Sequence, residues 1–155
     1  MTIVQPLRHG ELILKRHIKA DRKLCYRAWT EMEHRKNWFV TPSGWKEIER
    51  KVDFRVGGEE ILHGGNESFE SRYTARFHMI IPNTQLVYAF DMHVNGEHYS
   101  ISLTGVDFEE SENQTEVTYV EKIFYLTDDY DEEGRLEGTN KLMDNYVNYI
   151  NLSKL

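Results

Sequence analysis

Two ionisable residues fall on strand faces that are otherwise apolar. Arg16 sits in Glu11-Leu-Ile-Leu-Lys-Arg-His-Ile18, on the face shared by Leu12, Leu14 and Ile18, and Glu121 alternates with Val117, Tyr119, Ile123 and Tyr125. A buried charge is costly unless it is paired. These two residues therefore either pair with each other or grip the polar part of a ligand. Glu121 with Tyr119 or Tyr99 is also the one internal set with the residue types for general acid/base chemistry.

Other chemistries have weaker patterns. His93 and His98 flank the Asn95-Gly96 turn and face each other across it, with Asp91 and Ser100 expected on the same outer face. A zinc centre wants three or four supported ligands, so these read as exposed strand residues and no metal is expected. The string Asp128-Asp-Tyr-Asp-Glu-Glu-Gly-Arg135 fits the first half of a calcium loop but has Asn140 where the bidentate carboxylate belongs. Cys25 stands alone, which rules out an intramolecular disulfide and a thiolate cluster. No phosphate loop or recognisable nucleophile string is present, and no cofactor is expected.

The elements that must position these residues follow from periodicity. After the first strand, Asp21 caps a helix carrying Leu24, Cys25, Ala28 and Trp29, and Thr30 with Glu33 predicts a cap for a second short helix ending near Trp38-Phe39. From Trp45 the period becomes two. Strands are predicted over Lys46 to Phe54, Glu59 to His63, Glu70 to Ile81, the two arms of an Asn95-Gly96 hairpin, and Gln114 to Leu126. A two-residue turn pairs Val94 with Glu97, Met92 with Tyr99, Phe90 with Ile101 and Tyr88 with Leu103. Gly134 to Gly138 leads to a closing helix near Thr139 to Leu152. The expected fold is α+β, with two short helices after strand 1 and a curved antiparallel sheet of six to seven strands wrapped around a long C-terminal helix.

With 155 residues and a net charge of -7, one domain covering residues 1–155 is expected, and an acidic chain is a poor general binder of nucleic acid. Charge is uneven: residues 1–65 hold 13 basic and 9 acidic side chains, leaving 6 and 17 for the rest. No apolar run is long enough for a membrane span, and the stretch Met1 to Gly10 lacks the features of a secretory leader, so a cytoplasmic protein is expected.

Several strings resemble a known family: Arg16-His-Ile-Lys-Ala20, Arg27-Ala-Trp-Thr30, Asn37-Trp-Phe39 before Pro42, Asp53-Phe-Arg-Val-Gly-Gly58, Pro82-Asn-Thr-Gln-Leu-Val-Tyr88, and Glu137-Gly-Thr139 before Leu142-Met-Asp144. Over residues 12 to 152 the chain resembles the family named after the C-terminal domain of the activator of heat-shock protein 90 ATPase. That family lies within the helix-grip, or START-like, superfamily. The resemblance implies a helix-grip domain whose sheet and long helix enclose an apolar cavity.

Inward residues expected to line it are Tyr73, Phe77, Tyr88, Phe90 and Met92, then Tyr99, Ile101 and Tyr119, with Met143 and Tyr146 from the helix. Arg16 and Glu121 would orient a ligand, and Trp38, Phe39 and Trp45 would stand near the mouth. The leading functional reading is binding of a small apolar or amphipathic molecule. The alternatives are a chaperone cofactor-like domain that binds heat-shock protein 90, involved in stress response, and a cyclase- or hydrolase-type enzyme using cavity Glu and Tyr.

Overall fold

A computed structural model describes residues 6–153; Met1–Gln5, the start of the stretch read for a leader, lie outside it. Seven strands form one antiparallel sheet in the order β1-β7-β6-β5-β4-β3-β2. They are β1 (Arg8–Ile18), β2 (Lys46–Val52), β3 (Glu59–Gly65), β4 (Glu70–Ile81), β5 (Gln85–Val94), β6 (Glu97–Ser111) and β7 (Gln114–Tyr125). Helices α1 (Arg22–Thr30) and α2 (Met32–Arg35) follow β1, and α3 (Glu132–Leu152) closes the chain. The sheet is curved, and its concave face packs against the helices around Trp29, Trp38, Phe108, Met143 and Tyr146.

Local chemistry accounts for the joints. Asp21 accepts the Leu24 amide at 2.7 Å and starts α1. Thr30, by contrast, does not cap α2: its hydroxyl donates to the Tyr26 carbonyl at 2.9 Å, and Glu31 holds the cap position without a side-chain bond. Asn95 and Gly96 have φ angles of 51° and 78°, the left-handed pair required by a tight hairpin. At Gly58 a Cβ would lie 2.0 Å from the Asp53 carbonyl oxygen, so the β2–β3 turn closes only around a glycine.

Two bulges correct the predicted alternation. The hairpin keeps Val94 opposite Glu97 and His93 opposite His98, but then shifts, so that Met92 faces Ser100, Phe90 faces Ser102 and Tyr88 faces Thr104. Tyr99 is the extra residue, and it turns the rest of β6 over. Ser100, Ser102 and Thr104 are therefore inward and buried, whereas Ile101 and Leu103 are 41% and 52% exposed on the outer face. Ile101 there stands opposite Phe124, which is also exposed. A second shift between Phe77 and Met79 packs Ile80 against the core and leaves Ile81 outside.

The bulge makes a sharp prediction. Leu103→Thr changes stability by less than about 0.5 kcal/mol, as an exposed substitution does, whereas an inward leucine would cost roughly 2 kcal/mol or more. A thermal melt distinguishes the two.

Helix α3 also begins earlier than predicted. Its N-cap is Asp131, whose side chain accepts from the Gly134 amide at 2.9 Å, so Gly134 and Gly138 lie inside the helix. The acidic string thus caps a helix and places Glu132 and Glu133 in its first turn, where negative charge complements the helix dipole.

Candidate functional site

Between the concave face and α3 lies a cavity of about 310 Å3. Trp29, Trp38 and Phe39 wall one side. Tyr73, Tyr88, Phe90 and Met92 come from β4 and β5, Tyr119 and Glu121 from β7, and Arg135 and Leu142 from α3. The mouth is formed by Val40 to Pro42 and by Gly138, which is exposed and has open space where a Cβ would stand.

Two buried ion pairs flank this space, four strands apart in the sheet. In the first, Arg35 of α2 donates from Nε and Nη2 to the Glu60 carboxylate of β3, at 2.5 and 2.9 Å. The Tyr73 hydroxyl donates to Glu60 at 3.2 Å, and the guanidinium lies 4.1 Å from the Phe39 ring centroid. In the second, Arg135 of α3 donates from Nη2 and Nε to Glu121 of β7, at 2.8 and 3.2 Å. Tyr119 donates to the other carboxylate oxygen at 2.6 Å, and Ser102 donates to the shared one at 2.7 Å. Arg135 also donates to Ser100 and Ser102, at 3.1 and 3.0 Å, so the bulge in β6 supplies the hydroxyls that complete this network.

Three phenols face the cavity. Burial first, then the neighbouring carboxylate, holds Tyr73 and Tyr119 well above the ordinary phenol pKa, so both remain proton donors. Tyr88 is also raised by burial, with Arg35 partly opposing and Glu60 and Glu121 reinforcing the shift. Unlike Tyr73 and Tyr119, which donate to Glu60 and Glu121, it makes no side-chain hydrogen bond among the described residues.

The model of the family described as Activator of Hsp90 ATPase homolog 1-like protein matches residues 19–150. The chain belongs to this family. The solved structure of a protein from Rhizobium leguminosarum is 29% identical with a TM-score of 0.90, covering 97% of this chain and 100% of that one. One from Rhizobium loti is 26% identical with a TM-score of 0.85, covering 94% and 99%. An AHSA1-like protein from Aeromonas hydrophila shares the fold at 19% identity and a TM-score of 0.67, over 92% of each chain. No curated protein matches the chain.

Within this domain, Tyr73, Tyr88, Phe90, Met92, Tyr119 and Glu121 are at the cavity, where the alternation put them, and Trp38 and Phe39, expected near the mouth from the family resemblance, also line it. Trp38 is fully buried, with its indole N–H donating to the Ala28 carbonyl at 2.8 Å, so it forms wall and not mouth. The others expected there lie elsewhere. Arg16 does not pair with Glu121; it reaches α3 and donates to Asp144 at 3.1 Å and to the Asn140 side chain at 3.0 Å. Phe77 packs against Phe54. Ile101 is on the outer face, and Tyr99 joins a separate cluster with Leu12, Ile123 and Tyr125. Met143 and Tyr146 are core, the Tyr146 hydroxyl donating to the Cys25 carbonyl at 2.6 Å, and Trp45 does not line the space.

Arg35, Glu60 and Arg135 were not among the expected site residues. Pairing β3 with β4 so that Leu62 opposes Tyr73 also sets Glu60 opposite the inward Ala75, and that register was the available signal. As for acid/base chemistry, Tyr99 is remote, and both oxygens of Glu121 are taken by Tyr119, Ser102 and Arg135. His93 and His98 stack with ring centroids 4.4 Å apart, while the bulge has carried Ser100 inward, away from the outer-face cluster expected of it.

Proposed function

We propose that this domain binds a small apolar or amphipathic molecule in the cavity between sheet and α3. The observation that carries the reading is the 310 Å3 space itself, walled by aromatic side chains and ending at a mouth beside Val40 and Gly138. Burial of apolar ligand surface supplies the driving force, and a volume at the lower end of the range for ligand sites favours a compact molecule. Tyr88, the cavity-facing edge of the Arg135–Glu121 pair and the half-buried hydroxyls of Thr41 and Ser71 are the polar groups of the lining that can orient it.

The neutral dye N-phenyl-1-naphthylamine is expected to show saturable one-to-one fluorescence enhancement. Gly138→Trp, which places an indole in the open space at the mouth, is expected to weaken it at least tenfold. Absence of saturable binding, or binding unchanged by that substitution, overturns the proposal. The chaperone-cofactor alternative is supported by the family's description alone. A cytoplasmic setting is part of the proposal, beside the finding that no described helix is long and apolar enough to cross a membrane.

A further inference from the structure

The polar inventory of the cavity constrains the chemistry of its occupant. Two arginines face it, and each has its own carboxylate in direct contact, Arg35 with Glu60 and Arg135 with Glu121. Both pairs are buried: the side chains of Arg35 and Glu60 are 6% and 5% exposed, those of Arg135 and Glu121 14% and 1%. The formal charges around the cavity therefore cancel locally, at each flank as well as in sum. An anionic ligand would have to compete with an internal carboxylate for its guanidinium, leaving one of the two anions buried without a partner. A cationic ligand meets the reverse difficulty at Glu60 and Glu121.

The buried hydroxyls divide in the same way, Thr139 donating to the Arg135 carbonyl, while Thr41 and Ser71 of the lining are half-buried and open to solvent. Tyr73 and Tyr119 give their protons to Glu60 and Glu121, and Ser102 gives its proton to Glu121. Tyr88 lies between the flanks on β5 and is the cavity phenol with no such commitment among the described residues. Its register neighbour on β6, Thr104, is fully buried and its hydroxyl also lacks a partner. The Tyr88 ring lies beside those of Phe77 and Phe90, and Tyr73, Met92 and Tyr119 share the lining with it.

We infer that the site selects an uncharged ligand bearing one hydrogen-bonding oxygen, that it discriminates against the corresponding carboxylate, and that the Tyr88 hydroxyl is the buried group that reads that oxygen. This rests on the cavity-binding proposal and adds to it a charge preference and a specificity residue. Selection here comes mainly from rejection, because the internal carboxylates already occupy the places that an acid would need.

Three probes of one shape separate the parts of this inference: naphthalene, 2-naphthol and 2-naphthoate, each displacing N-phenyl-1-naphthylamine at pH 7. The expected order is 2-naphthol first, naphthalene severalfold weaker, and 2-naphthoate at least a hundredfold weaker than 2-naphthol. Tyr88→Phe is expected to bring 2-naphthol down to the affinity of naphthalene, a loss of about three- to tenfold for one hydrogen bond, while leaving naphthalene unchanged. Displacement by 2-naphthoate as readily as by 2-naphthol overturns the charge preference with the cavity reading intact. Equal loss of 2-naphthol and naphthalene in Tyr88→Phe overturns the role of the hydroxyl, since packing alone would produce it. If the dye itself does not bind the wild-type protein, both this inference and the reading beneath it fall.

Discussion

Arg35→Met is expected to remove about 3–5 kcal/mol of folding stability, because it leaves the Glu60 carboxylate buried with the Tyr73 hydroxyl as its one remaining side-chain donor. That is a large share of the roughly 5–15 kcal/mol that separates a domain of this kind from its unfolded chain. Arg35→Lys should not rescue it fully, since an ammonium cannot reproduce the two-pronged contact or the flat stacking over Phe39. Replacing both partners, Arg35→Met with Glu60→Leu, is expected to recover most of the loss, because no orphaned charge then remains. Urea denaturation with an unchanged slope would measure all three variants. A single-variant loss under about 1 kcal/mol would show that water reaches Glu60 and that the pair is not held in an apolar surround.

The second large effect is alkaline. Burial raises the phenols of Tyr73, Tyr88, Tyr119 and Tyr146 above their ordinary value, and pushes the Cys25 thiol up to about 11. In the unfolded chain the same groups release protons near their ordinary pKa values, about 10 for phenols and 8.5 for thiols. Above those values the unfolded chain holds fewer protons than the folded one, so stability falls as pH rises; below them the contribution is fully present. Each phenol adds up to about 1.4 kcal/mol per pH unit, so four together exhaust a typical domain's stability within one to three units above pH 10.

Tyrosinate absorbance should therefore rise in two parts: a gradual phase from the accessible tyrosines, then a cooperative step coinciding with loss of far-ultraviolet circular dichroism. A single gradual titration of all nine tyrosines with the fold intact would refute it. Cys25 should resist thiol reagents at neutral pH and react only with that second step.

Most of the architecture was legible from alternation alone, since β1, β4 before its bulge, β5 and β7 each carry an apolar face that survives in the structure. The cavity aromatics Tyr73, Tyr88, Phe90 and Tyr119 were legible for the same reason. Ile101 was not. The pattern Ile101, Leu103 outward with Ser100, Ser102 and Thr104 inward is the opposite of what hydrophobicity asks, and the extra residue at Tyr99 that causes it leaves no compositional mark.

Arg135 was obscured by its neighbours: glycines at 134 and 138 and five acids before them read as a loop, although the helix runs through both glycines. Arg35 sat in the charged segment Glu31-Met-Glu-His-Arg-Lys36, which reads as a solvated face, and its burial depends on Glu60 arriving from another strand. Long-range partners of this sort are fixed by topology, which periodicity within one segment does not carry.

The two arginine pairs tie helices α2 and α3 to strands β3 and β7, on either flank of a space that no side chain fills. They act as struts, keeping apart walls that dispersion forces would otherwise draw together. A hollow maintained in this way is volume that the unfolded chain does not enclose, and hydrostatic pressure favours whichever state is smaller. Whatever part of that volume water leaves empty makes compression a destabilising stress for this fold. A molecule seated inside would oppose it by occupying the space that unfolding would otherwise reclaim.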